Sequence, residues 1–443
     1  MGKQLNTSNR YKEYAREEQI IVVGAGIAGL GAARLLVDAG RRVTVLEARA
    51  RIGGRIRTDR SLDGLPLDTG ASWIHGIIDN PIYALAEALK IETKATDYDS
   101  IVLFDSRGQI MSEPEVKHVN ALLDKVMQGA KNLSIAADEG KSLAARLHHA
   151  RKETGIEGHD ERIKLNYAVR ARIEQEYAAD VEQLSGQWWE RNGKCKGKDV
   201  LFPGGYDQIV RYLAEGLDIR LQEPVTGISY TEEGVNVIAR TSSFEAGRAL
   251  VTVPLGVLKQ EQIGFAPPLP EKKRTAIRRL GMGVLNKLYL KFPNVFWPMD
   301  SDLFGYAGRT SGSWTEIFNM CKYCGAPVLL AFIAGKEAAE MERLPDEAIV
   351  QSAMKVLRDM FGASIPEPES RLVTRWKQDP YAFGSYSYMA TEANPQDYDR
   401  LAEPVGSRLF FAGEATCRDH AATVHGAYLS GIRAAKQIMQ GWN

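Results

Sequence analysis

Cysteine is scarce in this chain of 443 residues, which contains four, and neither sign of charge is in excess. Four cysteines do not make a disulfide scaffold. Lysine plus arginine and aspartate plus glutamate both number 56, so no net field attracts nucleic acid or an anionic membrane. The chain also lacks apolar runs long enough for a membrane span, and residues 1–18 lack the apolar core of a signal peptide. These absences predict a cytoplasmic, soluble protein with a flexible N-terminus over residues 1–18. They leave the oligomeric state open.

The one cysteine spacing that suggests metal or redox chemistry is Cys321-Lys322-Tyr323-Cys324. A zinc site needs two further ligands at short spacing, and in our interpretation neither Cys195 nor Cys417 has a nearby thiol or histidine pair. A glycine and a proline follow the pair closely. The pattern therefore predicts a loop between two strands and no metal site.

The most informative motif present is a strand, glycine turn, helix and strand near the start of the chain. Residues 20–23 form an apolar, β-branched run typical of a buried parallel strand. Gly24 then permits a tight turn, Gly26 lets the backbone approach a pyrophosphate, and Gly29 lets the helix pack closely on the strand. The second strand ends at Glu47, where a carboxylate can bind a ribose diol and would repel a 2′-phosphate. This order predicts a dinucleotide site and disfavours NADP.

The rest of the chain alternates between helical and strand-like stretches. Residues 81–90 and much of 113–190 read as helices, whereas strand-like runs return after residue 219. The alternation predicts an α/β nucleotide-binding domain interleaved with a second, α+β domain, with a site at the seam. The predicted nucleotide-binding domain comprises residues 19–80, 200–290 and 370–443, and the predicted substrate-binding domain comprises residues 81–199 and 291–369.

Six motifs together resemble the flavin amine oxidase family. Two of them, E-A-R-x-R-x-G-G-R and F-A-G-E, are similar to FAD-site motifs at opposite ends of that family's chains. The sequence is closest to the polyamine and spermine oxidases and to the amine oxidase domain of lysine-specific histone demethylases. The resemblance implies a Rossmann-like FAD domain of the glutathione-reductase type. The motifs lie at 47–55, 70–81, 285–297, 376–388, 409–414 and 422–431.

The resemblance also implies which residues contact FAD. Two guanidinium groups in the first motif could hold phosphate oxygens. Monoamine oxidases attach FAD through a cysteine, but the matching residue here is Ser385, which implies noncovalent FAD. The expected cofactor-binding residues are Gly24, Gly26, Ala28, Gly29, Glu47, Ala48, Arg49, Gly53, Gly54, Arg55, Gly70, Ala71, Ser72, Trp73, Val225, Trp376, Tyr381, Gly413, Glu414, Thr423 and Val424.

Five residues are expected to line the reacting centre. Lys287 matches the family lysine that holds a water near flavin N5, and a buried lysine must be paired or have a lowered pKa. Tyr386 matches one aromatic wall of the substrate cage, whereas Thr423 stands where monoamine oxidases have the other. Trp376 is expected to shape the pocket near the flavin. His75 faces substrate in polyamine oxidases, although a lone histidine is more often a structural hydrogen-bonding group.

The resemblance implies oxidation of a C–N bond of a polyamine-type amine by hydride transfer to flavin N5, with reduction of O2 to H2O2. A polyamine needs carboxylates for its other ammonium groups, yet the stretch 191–198 is basic where relatives often carry acids. The helical acids Glu174, Glu176, Asp180, Glu182 and Glu190 read as a solvated face. Open alternatives are a flavin oxidase of an amino acid or biosynthetic amine, and a catalytically silent FAD-bound scaffold.

Overall fold

The nucleotide-binding motif forms the centre of a five-stranded parallel sheet. The computed structural model describes residues 19–133, 141–190, 193–308 and 314–440, so the predicted flexible N-terminus lies outside it. Isoleucine and valine side chains fill the central strand, which is buried on both faces as expected in a parallel sheet. In spatial order the strands are Leu409–Phe411, Arg248–Val251, Gln19–Val23, Arg42–Leu46 and Asp218–Arg220.

Helices cover this sheet, and a smaller sheet adjoins it. Helix Ile27–Asp38 follows the glycine turn, and its buried face packs with that of helix Val424–Gln440 in one apolar core. The second sheet has the order Ser243–Ala246, Val235–Ala239, Val225–Tyr230 and Gly264–Ala266. The other helices around these sheets are Pro81–Ala88, Asp207–Ala214, Leu255–Lys259, Glu271–Arg279 and Pro395–Ala402.

A six-stranded mixed sheet forms the second large layer. Its order is Ser370–Val373, Leu285–Lys291, Val328–Ala334, Glu316–Asn319, Leu303–Tyr306 and Ile101–Phe104. Alternate side chains point to opposite faces of such strands. One face, which includes Leu288, Ile317 and Ala331, packs on helix Asp346–Phe361. The opposite face carries Lys287, Phe318 and Phe332 and lines a cavity.

The predicted helical region consists of Glu113–Asn132, Leu143–Glu153 and His159–Val169, followed by a wider π-helical turn over Arg170–Glu174 and a last turn at Gln175–Tyr177. The remaining short helices are Gly335–Met341, Cys321–Cys324 and the 3₁₀ turn Glu414–Thr416. The predicted loop at the cysteine pair is therefore wrong in detail, because these four residues make one helical turn between the two strands.

Three short sheets complete the described chain. Thr58–Asp59 pairs with Leu67–Asp68, and Gly281–Met282 pairs with Ser387–Tyr388. In the third sheet, Val200–Leu201 lies between Trp73–Ile74 and Lys94–Ala95. The predicted domain boundaries remain a proposal, which the strand pairings refine. Residues 285–291 and 370–373 pair within the six-stranded sheet, so we propose that they belong to the substrate-binding layer.

Among the described residues no helix combines the length and apolarity needed to cross a bilayer. The cytoplasmic location stays a prediction.

Candidate active site

A single cavity of about 950 Å³ lies between the parallel sheet and the six-stranded sheet. Its volume is at the upper end of the ~300–1,000 Å³ range of small-molecule sites. All the predicted cofactor-binding and catalytic residues line it except Gly29. The fold thus brings together residues that are up to 400 positions apart along the chain, from Gly24 to Val424.

The three glycines of the first turn have the geometry that their predicted roles require. Gly24 has a φ of +109°, a conformation that side chains rarely adopt. A Cβ on Gly29 would lie 1.9 Å from the carbonyl oxygen of Gly24, so this residue must lack a side chain for the helix to pack. A Cβ on Gly26 would meet no protein atom within 4 Å. Gly26 therefore leaves open space at the helix N-terminus, where a phosphate group fits.

The carboxylate of Glu47 is buried at the cavity wall and fixed by backbone donors. The N–H groups of Ala25 and Arg49 each donate to it at 2.9 Å. A carboxylate has about four acceptor positions, so it keeps capacity for a ribose hydroxyl. The Arg49 guanidinium pairs with Asp379 and lies 5.3 Å from the centre of the Tyr381 ring. This places Tyr381 beside the first motif.

A partly buried ion pair joins the two motifs that suggested FAD. Arg55 donates at 2.9 Å to Glu414, which lies 359 residues further along the chain, and also to the Ser385 carbonyl at 2.9 Å. Glu414 in turn accepts from the Ser387 hydroxyl at 2.6 Å and from the Ala422 N–H at 3.0 Å. The acid therefore connects three separate loops around the cavity.

Lys287 is 4% exposed and lies on the cavity face of the six-stranded sheet. Its ammonium donates to the carbonyls of Asp68 at 2.8 Å and Gly70 at 2.6 Å, and also to the Ser72 hydroxyl. Burial lowers its pKa, and the Asp68 carboxylate opposes that shift. The expectation that this lysine is paired or has a lowered pKa is met on both counts. All three ammonium hydrogens are already donated in this geometry.

A cluster of aromatic rings lies beside Lys287. Phe332 lies directly opposite Lys287 in the neighbouring strand. The Trp73 ring centre is 5.7 Å from the Lys287 nitrogen, 5.2 Å from the Phe318 ring and 5.9 Å from the Phe332 ring. Trp376 is buried and donates its indole N–H to the Thr69 carbonyl at 3.1 Å. This part of the cavity is therefore an aromatic chamber with a lysine in its wall.

The other predicted wall residues also lie at the cavity. Tyr386 donates its hydroxyl to the Gln175 carbonyl at 2.8 Å, at the end of the helical region. The Ser385 hydroxyl both accepts from and donates to the backbone of Leu285. The Thr423 hydroxyl accepts from the Gly426 N–H at 2.9 Å and donates to the His420 carbonyl at 2.8 Å. Thr423 thus caps the last helix as well as lining the cavity.

Three carboxylates converge on the cavity, and sequence reasoning missed two of them. Burial raises the pKa of Tyr98, and the charges of Asp199, Glu316 and Glu176 raise it further. Asp199 binds His75 Nδ1 at 2.7 Å and the Tyr98 hydroxyl at 3.1 Å. The sequence predicts that Glu176 lies on a solvated helix face, whereas in the structure it lines the cavity. Asp199 and Glu316 sit in no recognisable motif, so the sequence carried no signal for either.

Two basic groups, Arg172 and Lys194, also lie in this region. Arg172 projects from the π-helical turn into the cavity wall and acts electrostatically on Glu316. π-Helical turns are frequent at functional sites, because the extra residue redirects side chains. The predicted basic stretch contributes Lys194, which pairs with Glu176 at 2.6 Å. Residues 191 and 192 lie outside the described residues.

The prediction that Cys195 has no pair of histidines nearby is wrong. Cys195, His420 and His425 have potential ligand atoms that all lie within 4.8 Å of one another, and two of these residues, Cys195 and His425, line the cavity. Two of these ligands, His420 and His425, are five residues apart, and that spacing was the available signal. The thiol comes from a segment more than 200 positions earlier, so spacing could not reveal it.

Comparisons with known proteins agree with this geometry. The family model of flavin-containing amine oxidoreductases matches residues 27–439. Lysine-specific histone demethylase 1 homolog 2 of Arabidopsis thaliana is 39% identical over 96% of this chain, which spans 59% of that protein. Polyamine oxidase 5 of Oryza sativa subsp. japonica is 36% identical over 95% of this chain, which spans 88% of it. The chain spans only 30–59% of the first demethylase homologues.

Solved structures show the same fold. A structure of wild-type putrescine oxidase bound to putrescine superimposes with a TM-score of 0.77 at 22% identity, covering 96% of this chain and 99% of the other. At that identity the likeness speaks for the fold alone. It confirms the predicted α/β fold with an interleaved second layer.

Proposed function

This chain belongs to the family of flavin-containing amine oxidoreductases, and from that membership we propose that it oxidises a C–N bond of a polyamine-type amine. The chain is an amine oxidoreductase with FAD as its cofactor. The residues present fit FAD, since the open space at Gly26 suits a pyrophosphate and Glu47 keeps acceptor capacity for a ribose. When bound there, FAD would supply two-electron oxidation of the amine's C–N bond at flavin N5 with O2 as the final electron acceptor, so that the products would be H2O2 and an imine that water hydrolyses to aldehyde and amine.

The protein's own residues supply position and electrostatics. The aromatic chamber of Trp73, Phe318 and Phe332 excludes water around the reacting carbon. Tyr386, fixed by the Gln175 carbonyl, forms the wall against which the neutral amine packs. The Lys287 ammonium donates to three acceptors, so it binds a water only when one of those hydrogen bonds is broken. Its lowered pKa reduces the average charge on its side chain. Because Ser385 is bonded to Leu285 and offers no thiol, FAD is held noncovalently.

The observation that carries the polyamine assignment is the group of three carboxylates, Glu176, Asp199 and Glu316. All three line the cavity, and their charges all raise the pKa of Tyr98, which lines it as well. Glu316 and Phe318 are two residues apart on one strand and therefore face the same side, about 7 Å from each other. A linear amine that reaches from the aromatic chamber to Glu316 would place a second ammonium group against a carboxylate. This supplies the anions that the sequence left unassigned.

Anaerobic mixing of the purified holoprotein with amines tests the proposed reaction. Spermine, spermidine and N-acetylated polyamines are expected to bleach the visible flavin absorbance, and simple monoamines to bleach it more slowly, because they lack a distal ammonium group. The measurement is the rate of bleaching as a function of amine concentration. Absence of bleaching by any amine, with FAD bound, would contradict an amine oxidase function and favour the silent scaffold.

Replacing Glu316 with glutamine tests the anionic end. Burial raises the pKa of Glu316 to about 7, and Arg172 opposes that shift. The carboxyl group therefore loses its charge as the pH falls through 7, and kcat/KM for spermine should decrease below that pH. A hydrogen bond to a charged group contributes about 1.5–3 kcal/mol, so E316Q should raise the KM for spermine by ~10-fold or more at pH 8.

A monoamine serves as the control substrate for E316Q, because it has no second ammonium group to lose. Its KM is expected to be unchanged by the substitution. Equal KM values of the native protein and E316Q for spermine at pH 8 would argue against Glu316 as the anchor.

Arg172 favours a second candidate, an oxidase of an amino acid. Its guanidinium lies in the same cavity wall and could bind a substrate carboxylate. Amino acids therefore belong in the same bleaching experiment, with Arg172→Met as the variant. If the native protein is reduced by an amino acid and Arg172→Met is not, the amino-acid oxidase is the correct assignment. Faster or unchanged reduction of Arg172→Met by spermine supports the polyamine assignment.

A further inference from the structure

Three side chains from two distant parts of the chain meet beside the substrate region with the chemistry of a transition-metal site. Cys195 comes from the segment that follows the helical region, and His420 and His425 flank the start of the last helix. Their nearest potential ligand atoms lie within 4.8 Å of one another. We propose that Cys195, His420 and His425 bind one divalent transition metal ion of the Zn²⁺ class, with a fourth position open to the cavity.

An unpartnered atom of His425 points to a ligand. The side chain is 4% exposed, and its Nε2 is buried without a hydrogen-bond partner. Its Nδ1 is 3.5 Å from the amide nitrogen of Asn80. That amide already donates its two hydrogens to the carbonyls of His75 and Gly76, at 3.2 and 2.9 Å. A buried ring nitrogen without a partner is costly, and a metal ion would satisfy it.

The second histidine is oriented as metal ligands usually are. His420 Nδ1 lies 3.1 Å from the carbonyl oxygen of Gly193, an arrangement in which Nδ1 carries the proton and donates it. The neutral tautomer then presents Nε2 as a lone pair. Ligating histidines typically donate the other ring N–H to a carbonyl or carboxylate in this way. The rings of His420 and His425 have their centres 4.9 Å apart, so both can face one ion.

The cysteine is held close by backbone contacts on both sides. On one side, Lys196 accepts a backbone hydrogen bond from Ile78 at 2.8 Å, and a Cβ on Gly76 would lie 2.3 Å from the Cys195 carbonyl oxygen. On the other side, the N–H of Gly193 donates to the Asp419 carbonyl. The segment is therefore fixed between the loop at residues 76–78 and the loop that leads to His420 and His425, and no large movement is needed to assemble three ligands.

The ligand set and spacing suit zinc chemistry. Zn–N and Zn–S bonds of ~2.0–2.3 Å put tetrahedral ligand atoms about 3.5 Å apart, so the side chains need to close by ~1 Å. Thiolate and imidazole ligands select Zn²⁺ or Cu over Mg²⁺ and Ca²⁺. Binding would release the thiol proton of Cys195. Three protein ligands with an open position are typical of sites that also hold water or another small ligand.

Metal titration of the chelator-treated holoprotein tests this site, with no dependence on the amine oxidase proposal. Zn²⁺ is titrated in competition with a chromophoric chelator, and Co²⁺ is titrated while its d–d bands are recorded at wavelengths beyond the flavin absorbance. The expected result is one ion per chain and Co²⁺ bands of tetrahedral type. Cys195→Ser and His420→Ala, both at partly exposed positions, should weaken Zn²⁺ binding by ~100-fold or more, since even outer-shell changes cost ~10–100-fold.

Cys417→Ser is the matched control, because Cys417 is partly exposed, close to the cluster in sequence and outside the group of three ligands. It should bind Zn²⁺ like the native protein. FAD content and thermal unfolding confirm that each variant is folded. Zn²⁺ affinity that is the same in the native protein, Cys195→Ser and His420→Ala, or the absence of Zn²⁺ binding in the native protein, would overturn the proposal.

Discussion

Replacing Gly26 with valine is expected to give a folded protein that purifies without yellow colour. A Cβ at this position meets no protein atom within 4 Å, and the backbone φ of −77° accepts a side chain. The added side chain would instead fill the space assigned to the pyrophosphate. Overpacking costs about 1–3 kcal/mol, so FAD affinity should fall by up to ~100-fold. FAD binding to the apoprotein, followed by flavin fluorescence, is the measurement.

Gly29→Ala is the informative contrast for that variant. Its Cβ would lie 1.9 Å from the Gly24 carbonyl oxygen, so the helix could not keep its position on the sheet. This substitution should lower the unfolding temperature of the apoprotein, whereas Gly26→Val should leave it unchanged. If Gly26→Val bound FAD with native affinity, the phosphate site would not lie at this turn.

The second large effect is expected from Lys287→Met, which should slow flavin reduction by amine ~10–100-fold, because it removes the charged donor proposed to hold a water near flavin N5 and such a hydrogen bond contributes about 1.5–3 kcal/mol. The methionine side chain is long enough to fill the space of the lysine, but it carries neither a charge nor a hydrogen-bond donor. Anaerobic stopped-flow absorbance measures the reduction rate separately from any effect on FAD content. No change in rate would remove Lys287 from the reaction.

Lys273→Met is a matched control for Lys287→Met. Lys273 is also buried, donates to the carbonyls of Arg400, Leu401 and Glu403, and has its pKa lowered to about 7 by burial. It lies away from the cavity, against the ring of Phe411. Both substitutions should cost stability, by about 1–3 kcal/mol for each buried carbonyl left without a donor. Only Lys287→Met should slow flavin reduction.

Much of the nucleotide site was accessible from sequence because its determinants are local. A β-branched run, three glycines and an acid at fixed spacing encode a strand, a turn, a helix and a second strand within 30 residues. The structure has these elements at Gln19–Val23, Ile27–Asp38 and Arg42–Leu46. The motif resemblance added FAD and the family, both of which the comparisons support.

The anionic end of the cavity was not accessible in this way. Glu176 looks like one of many helical charges, and Asp199 follows a run of lysines. The face of the sheet to which Glu316 points depends on the register of the six-stranded sheet. A shift of one residue in that register would turn its side chain towards the core. Register depends on partner strands far along the chain. No local pattern could therefore show that the three carboxylates meet.

The sequence by itself determined the nucleotide-binding unit, the cofactor class and the family, because each depends on short spacings that the backbone turns directly into geometry. The tertiary structure alone decided that Arg55 joins Glu414, that Lys287 donates to the turn at residues 68–72, and that Cys195 meets two histidines. These contacts are made by side chains whose separation is fixed by sheet order and helix packing. Chain distance carries no information about them, and the last of them is the contact on which the metal proposal rests.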